Sequence, residues 1–375
     1  MQRERRSRDR QDRNRRGKEE WSGKRRNRKW KRVRQAGGKG AAAHGKRADV
    51  TVVIPNFEGE KYIGPCLESL FSGSMAPEVI VVDNGSRDGS VAWMERWMER
   101  RRRKGLAVCR LVRFPENRGF CAAVNEGIRL AQTEYVILLN NDTQADRDFV
   151  KNLYQAIRKR KDAFSVGAKI LSFGDKGTID DAGDLYCALG WAFALGKGKK
   201  RTRYGREARI FAACACAAIY RKDVFDTIGY FDENHFAYLE DIDVGYRARI
   251  FGYENYYTPD AIVYHVGSAV TGSRHNAFKV RLTARNGIYL VYKNMPPLQA
   301  FLNLPWLAAG IGIKALFFLK KGLGKAYVKG LADGFRLCLS LPGREKRIPF
   351  HKESFGSYVR IQLELWLNML RRITG

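Results

Sequence analysis

The sequence lacks a Cys-x-x-Cys pair, and its seven cysteines are an odd number, so no disulfide framework is predicted. Free thiols in a reducing cytoplasm fit this pattern better. Cys214 and Cys216 are two residues apart and are predicted to share one face of a strand as small buried side chains rather than as metal ligands. No apolar run follows the basic amino terminus, so no secretory signal peptide is predicted.

Residues 1–47 have almost no aliphatic side chains and few acidic ones. They contain 20 Lys/Arg against 5 Asp/Glu, which supplies +15 of the net charge of +30. The tail has too little apolar surface for its burial to compensate the conformational entropy lost on folding, so it is predicted to be disordered. Its charge favours nucleic acid or an anionic membrane surface, although a purely solubilising tail would have the same composition.

Beyond the tail, apolar runs alternate with helical patterns. The segments "DVTVVIPNF", "EVIVVDNGS", "LAVCRLVRF" and "EYVILLNND" have the β-branched content of buried strands. Helices are predicted from Gly59 to Phe71, through Trp93 and Trp97, and from about Arg118. Strands that alternate with helices of this length predict βαβ units and a mainly parallel sheet.

Three of these strands run directly into polar turns. The turns are Pro55-Asn56-Phe57, Asp83-Asn84-Gly85-Ser86 and Asn140-Asn141-Asp142. Asn, Asp and Gly are common in ordinary turns, so each turn alone is weak evidence of a site. Open α/β sheets bind ligands beyond the carboxyl ends of their strands, so three such turns together predict one shared crevice.

The second half of the chain is less regular. The stretch "DDAGDLYCALGWAFALGKGKKR" is predicted to be a long glycine-rich excursion, and "RIFAACACAAIYR" a strand that returns to the sheet. The segment "FAYLEDIDVGYRARIFG" begins with acidic residues and continues as an amphipathic helix. The segment "NYYTPDAIVYHVGS" is predicted to be a strand that ends at His265.

From residue 296 onward the pattern becomes apolar and basic. The stretch 298–319 is interrupted by Asn303, Pro305 and Lys314, which makes it marginal for crossing a membrane. A helix through the following residues is predicted to carry apolar side chains on one face and lysines on the other, although Gly322 and Gly324 weaken this prediction. The two sets are Leu316, Leu319, Leu323 and Tyr327, and Lys314, Lys321, Lys325 and Lys329. Such a helix is typical of a membrane surface, although packing on the protein core would also use its apolar face.

Six segments in series carry a resemblance to a known family. They are "VVIPNF", "VVDNGSRDGS", "ENRGFCAAVNEGI", "LLNNDT", "IGYFDENHFAYLEDIDVGYRARIFGY" and "YHVGS". In this order the chain resembles the inverting nucleotide-sugar glycosyltransferases of family 2, in particular the bacterial rhamnosyltransferase-like branch. The resemblance implies the α/β GT-A fold, a mainly parallel sheet flanked by helices, over residues 48–290. Residues 291–375 would form a helical, membrane-associated extension.

The resemblance also implies which residues bind the donor. They are Pro55, Phe57, Glu58, Asp83, Asn117, Arg118, Asn140 and Asn141. Asp83 is expected to accept the imide N–H of uracil or thymine, because a carboxylate is an acceptor only. Asn117 and Arg118 precede a helix, where N–H groups and positive charge favour a diphosphate. A turn-forming Asp83 and a solvated Arg118 are the alternatives.

A metal site follows from the same resemblance. Asp142 stands where the family has the last residue of an Asp-x-Asp motif, and Asn140 replaces the first. Asp142 and His265 are expected to hold Mg²⁺ or Mn²⁺ against the donor diphosphate. An imidazole suits Mn²⁺ better than Mg²⁺. Outside the family context, His265 would be interpreted as a core histidine at a strand end.

The acidic segment "LEDID" is implied to hold the catalytic base. Asp241 would take the proton from the acceptor hydroxyl, with Glu240 orienting acceptor or donor. Asp243 is expected to point elsewhere on the helix and to matter less. Acidic residues in a first helical turn also occur as simple partners of the helix dipole, which is the alternative for all three.

The reaction implied is a single transfer from dTDP-rhamnose or a UDP-sugar to a hydroxyl of a cell-envelope glycan or lipid-linked acceptor. The Gln-x-x-Arg-Trp motif of processive members is absent. Galactose, mannose and N-acetylglucosamine are alternative sugars. The basic regions predict a cytoplasmic protein held peripherally at the inner face of the cell membrane. The rival interpretation is a nucleic-acid-binding protein built on an inactive transferase domain. The presence of Asp83, Asp142, Asp241 and His265 argues against it.

Overall fold

The computed structural model describes residues 49–267 and 276–374. The predicted disordered tail, residues 1–47, lies outside the described residues. The described residues belong to one compact unit. The expected boundary at residue 290 between the catalytic domain and its extension lies inside a helix, Ala277–Asn294. The residues on both sides of that boundary belong to the same compact unit.

The described residues form eleven α-helices. In chain order they are α1 (Ile63–Phe71), α2 (Ser90–Arg103), α3 (Phe120–Leu130), α4 (Phe149–Arg158), α5 (Phe225–Ile228), α6 (Glu240–Ile250), α7 (Ala277–Asn294), α8 (Pro297–Lys320), α9 (Gly324–Leu339), α10 (Leu341–Glu345) and α11 (Phe355–Thr374). Short 3-10 helices lie at Lys222–Val224, Glu233–His235 and Lys352–Ser354.

Twelve strands are described in the same residues. They are β1 (Val50–Asn56), β2 (Glu78–Asp83), β3 (Arg110–Arg113), β4 (Tyr135–Leu139), β5 (Thr143–Ala145), β6 (Ala163–Ser172), β7 (Ile179–Asp181), β8 (Asp184–Cys187), β9 (Trp191–Ala194), β10 (Ala208–Ile210), β11 (Ala217–Arg221) and β12 (Glu254–His265). The first four strands, the three helices between them and the strand that ends at His265 confirm the sequence prediction.

Ten of these strands form one sheet in the order β10-β12-β6-β11-β4-β1-β2-β3, with β5 added to β12 and β7 to β6. The part made of β4, β1, β2 and β3 is parallel, as predicted. β11 enters antiparallel between β4 and β6, whereas β12 runs parallel to β6. Because β1, β2 and β4 are parallel neighbours, the polar turns that follow them lie at one edge of the sheet.

Helices cover both faces of the sheet, because its central strands are apolar on both sides. Val52 and Ile54 of β1 pack in a core that includes α1, α2 and α4. Val53, between them, packs in the opposite core with α3, α5 and α6. All three side chains are fully buried, and each stabilises the fold by about 1.5–3 kcal/mol relative to exposure.

The segment "RIFAACACAAIYR" forms two strands, β10 and β11, rather than the single predicted strand. Between these strands the chain leaves the sheet, and Ala212 bridges to Asp184 at the start of the β8–β9 hairpin. Cys214 and Cys216 were predicted to share one face of a strand, but they lie in the turn before β11. The carbonyl of Cys216 instead accepts the N–H of Asn140 at 2.9 Å.

The predicted amphipathic helix across residues 314–329 is wrong. α8 ends at Lys320, the chain turns at Gly322 with a φ of 71°, and α9 begins at Gly324. A positive φ carries no Cβ penalty at glycine, so this residue permits the turn. The predicted apolar face is split, since Leu316 and Leu319 are exposed and Tyr327 is buried.

The predicted lysine face is also divided by the turn. Lys314 lies over the ring of Trp191 at 5.4 Å, against the folded unit. Lys321, Lys325 and Lys329 are exposed. Among the helices of residues 49–267 and 276–374, α8 alone has the length and apolar composition to cross a membrane.

Candidate active site

A cavity of about 910 Å³ opens beyond the carboxyl ends of β1, β2 and β4. Its wall includes Asn56, Asn84 and Asn141 from the three polar turns. The end of β12, the start of α6 and the β8–β9 hairpin complete the wall. The crevice predicted from the three turns is therefore present. It forms because β1, β2 and β4 run parallel and end at the same edge of the sheet.

Asn56 joins these strand ends, although the sequence pattern did not single it out. It is completely buried. Its Nδ2 donates to Asp83 Oδ1 at 2.8 Å and to Ser90 Oγ at 3.1 Å, while its Oδ1 accepts from Asn141 Nδ2 at 2.8 Å. A side chain that bridges a carboxylate and a second amide needs both a donor and an acceptor, and an amide side chain has both. Its only signal in the sequence is its place in the first polar turn.

The eight predicted donor-binding residues divide into two groups. Five line the cavity: Pro55, Phe57, Asn117, Asn140 and Asn141. Glu58, Asp83 and Arg118 do not line it. Glu58 accepts the N–H of Arg87 at 2.9 Å. Asp83 is buried and also accepts the N–H of Ser86 at 3.2 Å, and the Arg118 guanidinium lies over Phe114 at 4.9 Å.

Asp142 and His265 meet in the cavity wall. β5 pairs with the end of β12 so that His265 lies opposite Thr143, and the N–H of Val266 donates to the Asp142 carbonyl at 3.0 Å. This register brings His265 Nε2 to 3.4 Å from Asp142 Oδ1. One carboxylate oxygen and one imidazole nitrogen therefore face a common space, a donor set that suits Mn²⁺.

The surroundings of this pair favour positive charge. Burial alone would lower the pKa of His265, but Cys216, Asp142 and Asp180 beside the ring raise it well above its usual value. Asp180 Oδ2 lies 2.9 Å from His265 Nδ1. Two carboxylates thus flank one imidazole. A divalent cation bound between Asp142 and Nε2 would supply the positive charge that these carboxylates favour. The residues present fit a divalent metal ion.

The start of α6 brings Glu240 and Asp241 into the same wall. Burial and the neighbouring Asp241 raise the pKa of Glu240 to about 8. Its Oε2 is buried with no hydrogen-bond partner among the described residues. Burial also raises the pKa of Asp241, and the Ile242 N–H, which donates to its Oδ1 at 2.7 Å, opposes this. The raised pKa lets Glu240 exchange a proton near neutral pH and makes Asp241 a stronger base than a free carboxylate.

The loop before α6 has an unusual backbone. Phe236, Tyr238 and Leu239 have φ values of 63°, 70° and 66°, and such a conformation costs roughly 1–3 kcal/mol for each residue. The buried Asn286 holds the loop, because its Nδ2 donates to three loop carbonyls at 2.7–3.0 Å. All three strained residues line the cavity. The strain is therefore concentrated beside Glu240 and Asp241.

Asp243 points away from the cavity, as predicted, but it is not an inert neighbour. It is fully buried and its Oδ2 lies 2.8 Å from Lys293 Nζ and 2.9 Å from Arg247 Nη2. Although burial alone would raise its pKa, Lys293 and Arg247 hold the pKa of Asp243 well below its usual range. Removing one partner of a buried ion pair typically costs about 3–5 kcal/mol, so Asp243 matters for folding.

Acidic residues of the glycine-rich excursion also reach the site, although the sequence pattern had not indicated them as site residues. Asp184 lines the cavity, and ligand atoms of Asp181, Asp184 and Cys214 lie within 4.8 Å of one another. Burial raises the pKa of Asp181 to about 7 and that of Asp184 well above its usual value, with Asp181 and Asp241 adding to the effect at Asp184. The spacing Asp180-Asp181-x-x-Asp184 was the available signal.

Residues 51–229 match the family described as "Glycosyl transferase family 2". This part of the chain belongs to that family. The family 2 region contains the three polar turns and Asp142, whereas Asp241 and His265 lie beyond it. The family predicted from six segments is therefore confirmed over the first part of the described residues.

Three curated proteins illustrate the range of relatives. An uncharacterised protein of Sinorhizobium fredii, y4gI, is 27% identical over 60% of this chain and 25% of its own length. The O-antigen biosynthesis protein RfbC of Myxococcus xanthus is 25% identical over 59% of this chain and 17% of its own length. The N-acetylglucosaminyl-diphospho-decaprenol L-rhamnosyltransferase of Mycobacterium tuberculosis is 27% identical over 60% of this chain and 79% of its own length. The chain thus spans a quarter or less of the length of the first two.

A solved structure supports the fold. The crystal structure of GalNAc-T7 with UDP, GalNAc and Mn²⁺ aligns with a TM-score of 0.53 at 17% identity, over 65% of this chain and 47% of that one. At this identity the likeness concerns the fold alone. Together with the mixed, mostly parallel sheet covered by helices on both faces, it confirms the predicted GT-A architecture with a carboxyl-terminal helical region.

Proposed function

We propose that the protein transfers one sugar per encounter from a nucleoside-diphosphate sugar to a hydroxyl of a glycan or lipid-linked acceptor, with inversion at the sugar carbon. One observation carries the proposal: the Asp142–His265 pair and the Glu240–Asp241 pair line the same cavity. A donor with its diphosphate at the first pair would present its sugar to an acceptor at the second. The family of residues 51–229 supports this class of reaction.

The donor's nucleotide would lie against the turns after β1 and β2. Pro55 and Phe57 supply apolar contacts in the cavity wall. Asp83 is the proposed reader of the base, although it is buried just behind the cavity wall. Asn56 and Ser86 take two of the roughly four lone-pair sites of its carboxylate, and a base that reached past the wall would meet the others, which can accept an imide N–H. Glu58 orders the turn after β2 through Arg87.

The donor's diphosphate and sugar would lie between the start of α3 and the turn after β4. Asn117 lines the cavity just before α3, where the positive end of the helix dipole favours phosphate oxygens, and Arg118 adds positive charge beside it. The N–H groups of Arg118 and Gly119 already donate to Asn84 Oδ1 and Asn117 Oδ1 at 2.9 Å. Asn140 and Asn141 are proposed to hydrogen-bond the sugar. Asn140 offers only a neutral carbonyl where the family usually has a carboxylate, so Asp142 alone supplies negative charge from this turn.

Asp142 and His265 are the proposed ligands of Mg²⁺ or Mn²⁺, and the presence of an imidazole favours Mn²⁺. The bound ion would neutralise charge on the leaving diphosphate. The residues' own task is to fix one carboxylate oxygen and one nitrogen at the end of the cavity where that diphosphate would lie. The GalNAc-T7 structure contains both UDP and Mn²⁺, which supports the same pairing of nucleotide and metal here.

Asp241 is the proposed base that removes the proton from the acceptor hydroxyl. Its raised pKa keeps it able to hold that proton once it is taken. Glu240 would orient acceptor or donor, since its unpartnered Oε2 can accept from, or when protonated donate to, a sugar hydroxyl. The strained loop of Phe236, Tyr238 and Leu239 places both carboxyl groups at the first turn of α6.

The donor sugar is proposed to be rhamnose from dTDP-rhamnose, or a sugar carried by UDP. The name of the Mycobacterium tuberculosis relative supports rhamnose and a lipid-diphosphate-linked acceptor. The name of the Myxococcus xanthus relative supports a cell-envelope glycan. Galactose, mannose and N-acetylglucosamine are the alternatives.

A donor panel tests the proposed function. With Mn²⁺ present, we expect the full chain to release nucleoside diphosphate from one of dTDP-rhamnose, UDP-galactose, UDP-N-acetylglucosamine and GDP-mannose, and to do so faster with a synthetic lipid-linked acceptor. The readout is released nucleoside diphosphate and the mass of the acceptor. Release from none of the four donors, with either metal, would count against a transferase.

The carboxyl-terminal helices are proposed to hold the protein peripherally at the inner face of the cell membrane. α8 presents a row of outward apolar side chains: Leu298, Phe301, Leu304, Ile313, Leu316 and Leu319. Exposed apolar surface of this extent marks a protein or membrane contact. Residues 291–375 also contain 14 Lys/Arg against 4 Asp/Glu, a net +10, which favours anionic lipid.

Contacts along its length argue that α8 lies on the protein and does not cross the bilayer. Gln299 Oε1 accepts from the Tyr246 hydroxyl at 2.7 Å. Asn303 and Gln362 exchange two hydrogen bonds at 2.7 and 2.9 Å. At Gly310 an added Cβ would lie 2.1 Å from the Leu189 carbonyl oxygen, so helix and hairpin touch there. One stripe of α8 is fastened to the domain, and the opposite face is free to enter a membrane surface.

We expect the full chain to sediment with anionic vesicles, to bind neutral vesicles weakly and to leave the anionic ones in high salt, because screening removes the electrostatic part. Leu316→Glu with Leu319→Glu should reduce sedimentation. Leu106→Glu is the matched control, since Leu106 is also an exposed leucine but lies outside these helices. Release only by detergent would instead favour a spanning α8.

The rival nucleic-acid function has less support. Its basis is the basic tail, which lies outside the described residues, whereas the cavity residues form an acidic site that repels phosphate backbones unless a metal ion is bound. A salt-sensitive gel shift that survives removal of residues 1–47 would revive it.

A further inference from the structure

We infer that Asp180 is the residue that positions His265 as a metal ligand, and that Lys197 in turn positions Asp180. The inference rests on the proposed metal site at Asp142 and His265. Neither Asp180 nor Lys197 belongs to the six segments that carry the family resemblance. Both come from the glycine-rich excursion between β6 and β11.

The two nitrogens of His265 face two different carboxylates. Nδ1 lies 2.9 Å from Asp180 Oδ2, and Nε2 lies 3.4 Å from Asp142 Oδ1. Asp180 therefore occupies the ring nitrogen that a metal ion at Asp142 would not use. A carboxylate that accepts from Nδ1–H keeps the lone pair of Nε2 directed toward the metal and fixes the plane of the ring.

The sheet explains why these two residues meet. The end of β6 pairs with both of their strands: Leu171 lies opposite Ile179 of β7, and Ser172 lies opposite His265 of β12. Asp180 follows Ile179 directly. A strand of three residues added to β6 thus delivers one carboxylate to the last residue of β12.

Lys197 reaches Asp180 from the loop after β9. That loop is joined to β7 by two backbone hydrogen bonds of 2.8 Å, from Gly198 N–H to the Ile179 carbonyl and from Ile179 N–H to the Lys199 carbonyl. Lys197 Nζ then contacts Asp180 Oδ1 at 2.5 Å, so the two oxygens of Asp180 serve different partners. The Lys197 side chain is 50% exposed, and an exposed pair of this kind contributes little by itself.

An ordinary ion pair on an edge strand would also bring Lys197 and Asp180 together. That role would affect the stability of β7 and would not affect metal coordination. A readout of the metal itself therefore separates the two roles, and it does not depend on turnover.

The test titrates Mn²⁺ into the full chain by calorimetry and records the ¹⁴N coupling of bound Mn²⁺ by pulsed electron paramagnetic resonance. In the unsubstituted chain we expect coupling to one imidazole. Asp180→Ala should weaken Mn²⁺ binding about 10–100-fold and diminish the coupling. Asp180→Asn, which keeps an acceptor for Nδ1–H, should lose less, and Lys197→Met should have the smallest effect. Asp260→Asn is the control, since this exposed carboxylate lies on β12 with His265.

The outcomes distinguish this inference from the proposed function. If Asp142→Ala and His265→Gln leave Mn²⁺ binding unchanged, or if the unsubstituted chain shows no imidazole coupling, the metal site is wrong and the inference fails with it. If those two variants lose the ion while folded Asp180→Ala and Asp180→Asn retain normal affinity and coupling, the metal site stands and the positioning role is overturned.

Discussion

Asp241→Asn is expected to lower turnover about 10² to 10⁴-fold, the usual contribution of a positioned base. The substitution keeps the size of the side chain, and its Oδ1 can still accept the Ile242 N–H that lies 2.7 Å from it in the native protein. It cannot take a proton from the acceptor. Affinity for nucleoside diphosphate should change little, because the proposed nucleotide and metal contacts come from the ends of β1, β2, β4 and β12.

The measurement combines an acceptor-glycosylation assay with titration of nucleoside diphosphate into the variant. Asp226→Asn is the matched control, because Asp226 is an exposed acidic residue in the first turn of α5. Asp243→Asn cannot serve as a control, since Asp243 holds the buried Lys293 and Arg247. If Asp241 were only a dipole partner, its loss would cost about 0.3–1 kcal/mol of stability and leave turnover intact. Near-normal transfer by the variant would overturn its assignment as the base.

Asp142→Ala and His265→Ala are each expected to reduce transfer at least about 100-fold, because stabilisation of the leaving diphosphate is worth several kcal/mol. The double variant should be little worse than either single one. Groups that hold one ion act as a unit, so once the first ligand is replaced, replacing the second causes little further loss of activity. The measurement is initial rate against Mn²⁺ and Mg²⁺ concentration for the three variants.

Asp146→Ala provides the control for these changes, since this exposed carboxylate lies four residues beyond Asp142. Its activity should match that of the native chain. Excess chelator should reduce the native chain to the level of the double variant. Full activity in chelator, or additive losses in the double variant, would remove the metal ion from the proposed reaction.

The local sequence pattern was sufficient to predict the parallel part of the sheet. The runs that end at Asn56, Asp83 and Leu139 are apolar and β-branched, and the helices between them are long enough for right-handed crossovers, so their order and direction followed from the sequence. The shared crevice followed as well, because parallel neighbours end at one edge. Asp142, His265, Glu240 and Asp241 were identified through the family resemblance, and one cavity does contain all four.

The carboxyl-terminal helices show where pattern was insufficient. A period of about 3.6 residues continues across Lys321–Leu323. Gly322 and Gly324 weakened the helix prediction, but the turn itself is established by the positive φ of Gly322. The face of α8 that contacts the domain depends on Gln299, Asn303 and Gly310, which are polar or small and give no apolar stripe. Burial of such residues depends on partners such as Tyr246 and Gln362, which are distant in sequence.

By itself, the sequence determined the fold class, the edge of the sheet that carries the site and the residue types available there, because strand direction and apolar periodicity are local properties. Tertiary structure alone decided which side chains meet. Asn56 became the junction of three strand ends, Asp180 the partner of His265, and Asp243 a buried ion-pair residue while Asp241, two positions away, faces the cavity. These contacts join residues that lie far apart along the chain, and such pairings depend on register and packing rather than on composition.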